Sequence, residues 1–198
     1  MFTVHLKCLI RGSETSGGSS GWGEGTMYAI GNEIRSLLGQ VTTHKDSPFM
    51  SADYSWEPSA GAMKSNETLI HFVNSGGSLI TEFDGRSVPT AGGTVLIRGT
   101  GVISEVYVDR VDGDPHFVQK LARVAVHELM HNKLDAVDPP NRAVSDIHAP
   151  LGGLGMALHQ VEWDTQFTLR NLELLAKNLS RAVPQFTSAL SRKGYPQI

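Results

Sequence analysis

The segment DPHFVQKLARVAVHELMHNKLD, residues 114–135, constrains the fold of this chain most. Asp114 and Pro115 mark a helix start, with Asp as the cap and Pro at the first helical position. The helix that follows has apolar flanks at Val118, Leu121, Val124, Val126 and Leu129. The pattern predicts one long helix over about 115–135 that packs against a core.

The same helix carries the motif HELMH at 127–131. Residues four apart on a helix differ by about 40° and by about 6 Å along the axis, so His127 and His131 can reach one metal ion. Zinc takes imidazole nitrogen, and catalytic zinc sites use three protein ligands and one water. Glu128 can act as general base on that water without occupying the metal. The alternative is a core helix whose histidines only hydrogen-bond to neighbours.

A third zinc ligand has to come from outside this helix. Asp135 lies about 12 Å along the axis from His127, too far for one ion. We favour His148, because it lies in the glycine-rich stretch DIHAPLGGLGMA, which can fold back under the metal. Glu162, at the start of a predicted helix, and Asp138 remain alternatives.

The rest of the chain alternates between short strands and helices. Strands are predicted over 3–10, 68–74, 78–83, 86–89, 94–98 and 102–110, and further helices over 26–38, ending at Gly39, and 162–182. The polar stretch 43–65 is predicted to be a long loop or an insertion. This order predicts one α+β or three-layer domain over 1–198, with a small mixed sheet packed on the long helix and a C-terminal helix.

Composition excludes several classes of protein. The formal net charge of -3 and the absence of a basic stripe argue against a nucleic-acid partner. The single cysteine, Cys8, permits neither an intramolecular disulfide nor a cysteine-based zinc site within one chain. No stretch approaches the roughly 18 to 20 apolar residues of a membrane span. The N-terminal sequence has no basic leader, so we expect a protein that is cytoplasmic or exported without a cleaved signal peptide.

The HELMH motif and the later GGLGM at 152–156 together resemble the zincin metallopeptidases, and among them the metzincins. In that family HExxH is followed by xxGxxH or xxGxxD, and later by a turn with a methionine beneath the zinc, here Met156. Leu134 replaces the family's glycine and Val137 its third ligand. The resemblance implies a zincin-like fold with a strand and a helix before the sheet and the active-site helix. It also implies that residues 104–109 lie near an edge strand that receives extended substrate.

These observations predict a zinc metallopeptidase in which His127, His131 and His148 bind Zn²⁺ and Glu128 is the general base. Its partner would be a peptide or protein substrate, with an inhibitor or immunity protein as a further candidate. His159, Tyr107 and Tyr54 are candidates for stabilising the oxyanion. The alternatives are a zinc-stabilised binding module without turnover, and a secreted bacterial effector or toxin domain with a narrow substrate range.

Overall fold

The structure, a computed structural model, describes residues 1–10, 23–56, 64–74, 80–83, 86–89, 92–97, 101–134, 163–164 and 166–181. For 80–83, 86–89, 92–97, 101–103 and 131 it describes the backbone only. The strands of this part are Phe2–Cys8 (β1), Ala52–Ser55 (β2), Glu67–Val73 (β3), Ile80–Phe83 (β4), Arg86–Pro89 (β5), Gly92–Ile97 (β6) and Gly101–Tyr107 (β7). Its α-helices are Glu24–Thr42 (α1), Phe117–Leu134 (α2) and Leu169–Asn178 (α3), and a 3-10 turn covers Val108–Arg110.

Five of the strands form one mixed sheet in the order β2-β1-β3-β7-β6. The first four are parallel, and β6 runs antiparallel to β7 at the edge. Strands β4 and β5 form a separate antiparallel pair. Helix α1 connects the parallel neighbours β1 and β2, since parallel strands need a crossover connection. The fold is therefore mixed α/β with a small mixed sheet, as the sequence predicted at this coarse level.

One face of the sheet contributes to a hydrophobic core with α1 and α2, and α3 packs against these two helices. Alternate side chains of β1, at Phe2, Val4 and Leu6, are fully buried in the main hydrophobic cluster. Ile70 and Phe72 of β3 join the same cluster. Since side chains alternate across a strand, these residues define the sheet face that is turned toward the helices. Among the described helices, none has the length and apolarity that crossing a bilayer requires.

Helix α1 is longer than predicted at both ends. It begins at Glu24 and passes through Gly39, where the sequence predicted its end, to Thr42. The prediction of an end at Gly39 was wrong because Val41 beyond it is fully buried in the core. Burying such a side chain contributes about 1.5 to 3 kcal/mol, which exceeds the cost of about 1 kcal/mol for a glycine inside a helix.

The stretch 43–65, predicted as a loop or insertion, contains strand β2. This strand pairs in parallel with β1, Phe2 opposite Ala52 and His5 opposite Ser55. The prediction failed because the strand has only four residues, ADYS, too few for the alternation of Ala52 and Tyr54 with Asp53 and Ser55 to stand out in a polar stretch. Backbone hydrogen bonding to β1 and packing against α1 make them a strand.

The predicted boundaries of three other elements also need correction. Helix α2 begins at Phe117, two residues after the predicted start. Asp114 lies before the helix, where its carboxylate accepts a hydrogen bond from His116 N at 2.8 Å. Residues 108–110, predicted as strand, form the 3-10 turn. Helix α3 begins at Leu169, seven residues after the predicted start, because Thr168 caps it by accepting from Asn171 N at 3.1 Å.

Candidate functional site

Helix α2 carries residues 127, 128 and 131 on one unbroken helix. The side chain of His127 is fully buried and that of Glu128 is 2% exposed. The helix continues through Leu134, the residue that stands in place of the metzincin glycine. The imidazole and carboxylate at the centre of the motif are thus held inside the protein, where electrostatic interactions are stronger than at the surface.

Tyr107, at the end of β7, lies within electrostatic range of Glu128. Burial, and then the carboxylates of Glu105 and Glu128, raise the pKa of the Tyr107 phenol to about 12. The phenol also donates a hydrogen bond to Glu105, two residues back on the same strand. Of the two tyrosines considered from the sequence, Tyr107 is therefore the one whose pKa is affected by the charge of the predicted base.

The structure does not bring Tyr54 to this region. Tyr54 lies on β2, at the edge of the sheet opposite β6, and its ring packs against α1. Its hydroxyl is 3.5 Å from Tyr28 O and from Asn32 Oδ1, both of α1. Tyr54 is a packing residue of the α1–β2 contact.

The sheet face turned away from the helices carries a row of ionisable residues. Lys7, His71 and Glu105 are direct neighbours across β1, β3 and β7. Burial, and then the charge of Lys7, lowers the pKa of His71 to about 4, so its imidazole is neutral at pH 7. Burial raises the pKa of Glu105, and the hydrogen bond from Tyr107 partly opposes that shift. His71 is 6% exposed, so this neutral imidazole is largely buried within the sheet.

Three polar side chains anchor α2 to the rest of the protein. Arg123 Nη1 donates to Glu33 Oε1 of α1 at 2.9 Å. Asn132 Nδ2 donates to Ser104 Oγ of β7 at 2.6 Å. Lys133 is the third of these anchoring residues. These anchors were missed from the sequence, because Arg, Asn and Lys in an amphipathic helix are normally expected on its exposed face.

Lys133 is the most unusual of the three anchors, since its side chain is fully buried. Its ammonium donates to Arg181 O at 2.7 Å and to Ser65 O at 3.4 Å, and lies 5.3 Å from the centre of the Phe2 ring. Burial lowers the pKa of Lys133 to about 8. Lys133 thus joins the last turn of α2 to the segments before β3 and after α3.

The remaining predicted site residues lie outside the described part of the chain: His148, Glu162, Asp138, Met156 and His159. The side chain of His131 lies outside it as well. Within the described residues, no three His, Cys, Asp or Glu side chains form a metal-binding group. Of the predicted site, the structure therefore describes the side chains of His127, a predicted ligand, and Glu128, the predicted base, and imidazole nitrogen is a ligand type that zinc prefers.

A separate pocket of about 510 Å³ lies at the start of α1. It is lined by Glu24, Gly25, Met27, Tyr28 and Trp56. The indole of Trp56 is held by a hydrogen bond from its Nε1 to Met27 O at 3.1 Å. None of these residues belongs to the predicted zinc site.

Similarity to known proteins supplies no further assignment for the site. Comparison of the chain with protein-family models, with curated proteins and with solved structures finds no match.

Proposed function

We propose that the chain is a zinc-dependent metallopeptidase with a zincin-like, metzincin-like fold. The observation that carries the proposal is the burial of His127 and Glu128 on one unbroken helix that also includes position 131. The order of elements supports it: β1, α1, the sheet and then α2 follow the order that the resemblance implies. The helix also packs against β7 and β6, as an active-site helix beneath a small sheet would.

The metal in this proposal is zinc, held by His127, His131 and His148. Imidazole nitrogen is a preferred zinc ligand, and three such ligands leave one coordination position open. When bound, zinc lowers the pKa of a water molecule to about 7 and polarises the substrate carbonyl. Glu162 and Asp138 are the alternatives to His148 as third ligand.

Glu128 acts as the general base in this mechanism. It takes a proton from the attacking water and then donates it to the leaving amine as the peptide bond breaks. Tyr107 keeps its proton at neutral pH, because its pKa is about 12. Its hydroxyl, which donates a hydrogen bond to Glu105, is therefore neutral and adds no negative charge that would act on Glu128.

The substrate class is an extended peptide that binds along β6. Residues 104–107 lie in β7, and β6, beside β7, is the last strand of the described sheet on that side. A peptide can add a strand to such an edge through backbone hydrogen bonds. Because α2 contacts both β6 and β7, a peptide on this edge would pass close to the active-site helix.

The test compares wild type with Glu128→Gln and with Glu173→Gln, an exposed substitution on α3 that serves as the matched control. Zinc content is measured by mass spectrometry, and cleavage is measured on a broad peptide library with and without chelator. We expect wild type and Glu173→Gln to bind zinc and cleave peptides. Glu128→Gln is expected to bind zinc and to lose cleavage by at least about 100-fold, because general-base catalysis contributes about that much.

Three outcomes separate the proposal from its alternatives. Full cleavage by Glu128→Gln would show that Glu128 is not the base. Zinc bound without cleavage, together with unfolding by chelator, would indicate a zinc-stabilised binding module. A wild-type protein without zinc would leave α2 as a core helix and remove the basis of the proposal.

A further inference from the structure

A buried polar pair connects α2 to β7. Asn132 is 6% exposed and Ser104 is fully buried, and Asn132 Nδ2 donates to Ser104 Oγ at 2.6 Å. Ser104 lies on the helix-facing side of β7, since it is opposite Ile70 of the core. Around it the contact is apolar, with Val106 next along this face of β7. A polar pair in such a contact is favourable only in a geometry that makes its hydrogen bond.

The pair is a poor source of stability. Asn132 Oδ1 is buried and accepts no hydrogen bond from the residues that the structure describes. Leaving a buried carbonyl oxygen without its water costs at least as much free energy as one neutral hydrogen bond contributes. Apolar side chains of similar size would therefore stabilise this contact at least as well. The pair instead affects the orientation of α2 relative to β7.

The geometric effect concerns the rotation of α2 about its axis. Apolar contacts are not directional and tolerate a small rotation, whereas a short hydrogen bond does not. A rotation of about 20° moves an atom that is roughly 6 Å from the helix axis by about 2 Å. Zinc ligands must lie within about 0.2 Å of their ideal distances. Asn132 directly follows residue 131 and lies four residues after Glu128 on α2. A restraint on Asn132 therefore also restrains the helical turn that contains residues 128 and 131.

We propose that the Asn132–Ser104 hydrogen bond is a positioning contact that sets the rotation of α2 for zinc binding at residues 127 and 131. This inference rests on the proposed function. Lys133, bonded to Arg181 O and Ser65 O, restrains the same turn from another side of the helix. Asn132 and Lys133 point about 100° apart around the helix axis. Their hydrogen bonds together restrict the last turn of α2 to one rotation about that axis.

The test uses the full chain and two metal probes, Zn²⁺ and Co²⁺. The double variant Asn132→Leu/Ser104→Ala makes the contact apolar. Ser104→Thr keeps the hydroxyl, and Leu175→Ala weakens the core in α3 without touching the contact. Zinc affinity is measured by chelator competition, the visible spectrum of the Co²⁺ form reports ligand geometry, and thermal unfolding of the metal-free protein reports stability.

We expect the double variant to unfold at the wild-type temperature or higher, to bind zinc about 10 to 100 times more weakly and to show an altered Co²⁺ spectrum. Ser104→Thr, which keeps the hydroxyl, should retain the wild-type affinity. Leu175→Ala should lower the unfolding temperature and leave affinity and spectrum unchanged. A double variant with wild-type affinity and spectrum would overturn the positioning role.

If the double variant fails to fold, Ser104→Ala alone repeats the comparison, and unchanged affinity in that variant would likewise overturn the role. A wild-type protein that binds neither metal would instead overturn the proposed function. The two failures are therefore distinguishable.

Discussion

The guanidinium of Arg123 donates to the carboxylate of Glu33 at 2.9 Å and so joins α2 to α1 one turn before His127. The Arg123 side chain is 6% exposed, whereas Glu33 is 30% exposed. Arg123 also donates to Gln119 O at 3.2 Å in its own helix. The ion pair is therefore a largely buried connection between the two helices.

Removing the Glu33 carboxylate should destabilise the protein more than removing a carboxylate from an exposed ion pair. We expect Glu33→Ala to lower the free energy of unfolding by about 1 to 3 kcal/mol, because the largely buried guanidinium of Arg123 loses a charge-assisted hydrogen bond. Glu173→Ala, from the exposed pair with Lys177, should cause no measurable change. Urea unfolding at pH 7 measures both variants. Equal effects of the two substitutions would contradict the buried character of the Arg123 pair.

Gly31 lies where α1 meets the ring of Tyr54. A Cβ added at Gly31 would stand 2.5 Å from Cζ and 2.6 Å from Cδ2 of that ring, whereas one at Gly39 meets nothing within 4 Å. Gly31→Ala should therefore destabilise by about 1 to 3 kcal/mol through overpacking, despite its better helix propensity. Gly39→Ala should stabilise by about 0.5 to 1 kcal/mol.

Thermal and urea unfolding check the two glycine variants. A third variant identifies the cause: in a Tyr54→Ala background, Gly31→Ala should become stabilising, since the ring no longer opposes the added methyl group. If Gly31→Ala stabilises the wild-type chain as much as Gly39→Ala does, the close approach to Tyr54 would not limit this position.

His71 makes stability depend on pH between its folded and unfolded pKa values. Its pKa falls from 6.5 to about 4 in the folded protein. Between these values the unfolded chain binds a proton that the folded chain does not, so stability is full above pH 6.5 and decreases as the pH falls toward 4. From pH 7.5 to pH 5 this group should remove about 2 kcal/mol.

Urea unfolding at the two pH values, compared with His71→Gln, isolates this contribution. The wild-type decrease should exceed that of the variant by about 2 kcal/mol. Lys7→Met should reduce the difference, because the charge of Lys7 is the second cause of the lowered pKa. Identical pH dependence of wild type and His71→Gln would mean that His71 titrates normally in the folded protein.

Zinc content identifies the third ligand. We expect His148→Ala to lose most of its zinc, and Glu162→Ala and Asp138→Ala to retain it, because imidazole completes the set formed by His127 and His131. Metal analysis of the four purified proteins, with folding checked by circular dichroism, makes the comparison. Loss of zinc in Glu162→Ala or Asp138→Ala alone would move the third ligand to that residue.

Local patterns in the sequence were sufficient for the long helix and most strands. The apolar spacing before His127 and the cap at Asp114 predict α2 to within two residues of its start. The motif places His127 and Glu128 on that helix, since the spacing of residues on a helix follows from backbone geometry alone. Alternating hydrophobicity predicts β1 and β3 in the same way.

Features that depend on distant partners were decided by the tertiary structure. Strand β2 exists because β1 pairs with it, and α1 passes Gly39 because Val41 enters the core. The effect of Glu128 on the pKa of Tyr107 and the hydrogen bond from Lys133 to Arg181 O also involve residues that are far apart in the chain. The sequence alone determined which residue types lie on α2. Only the folded chain decided what they face, because burial and pairing energies arise from contacts that no local pattern specifies.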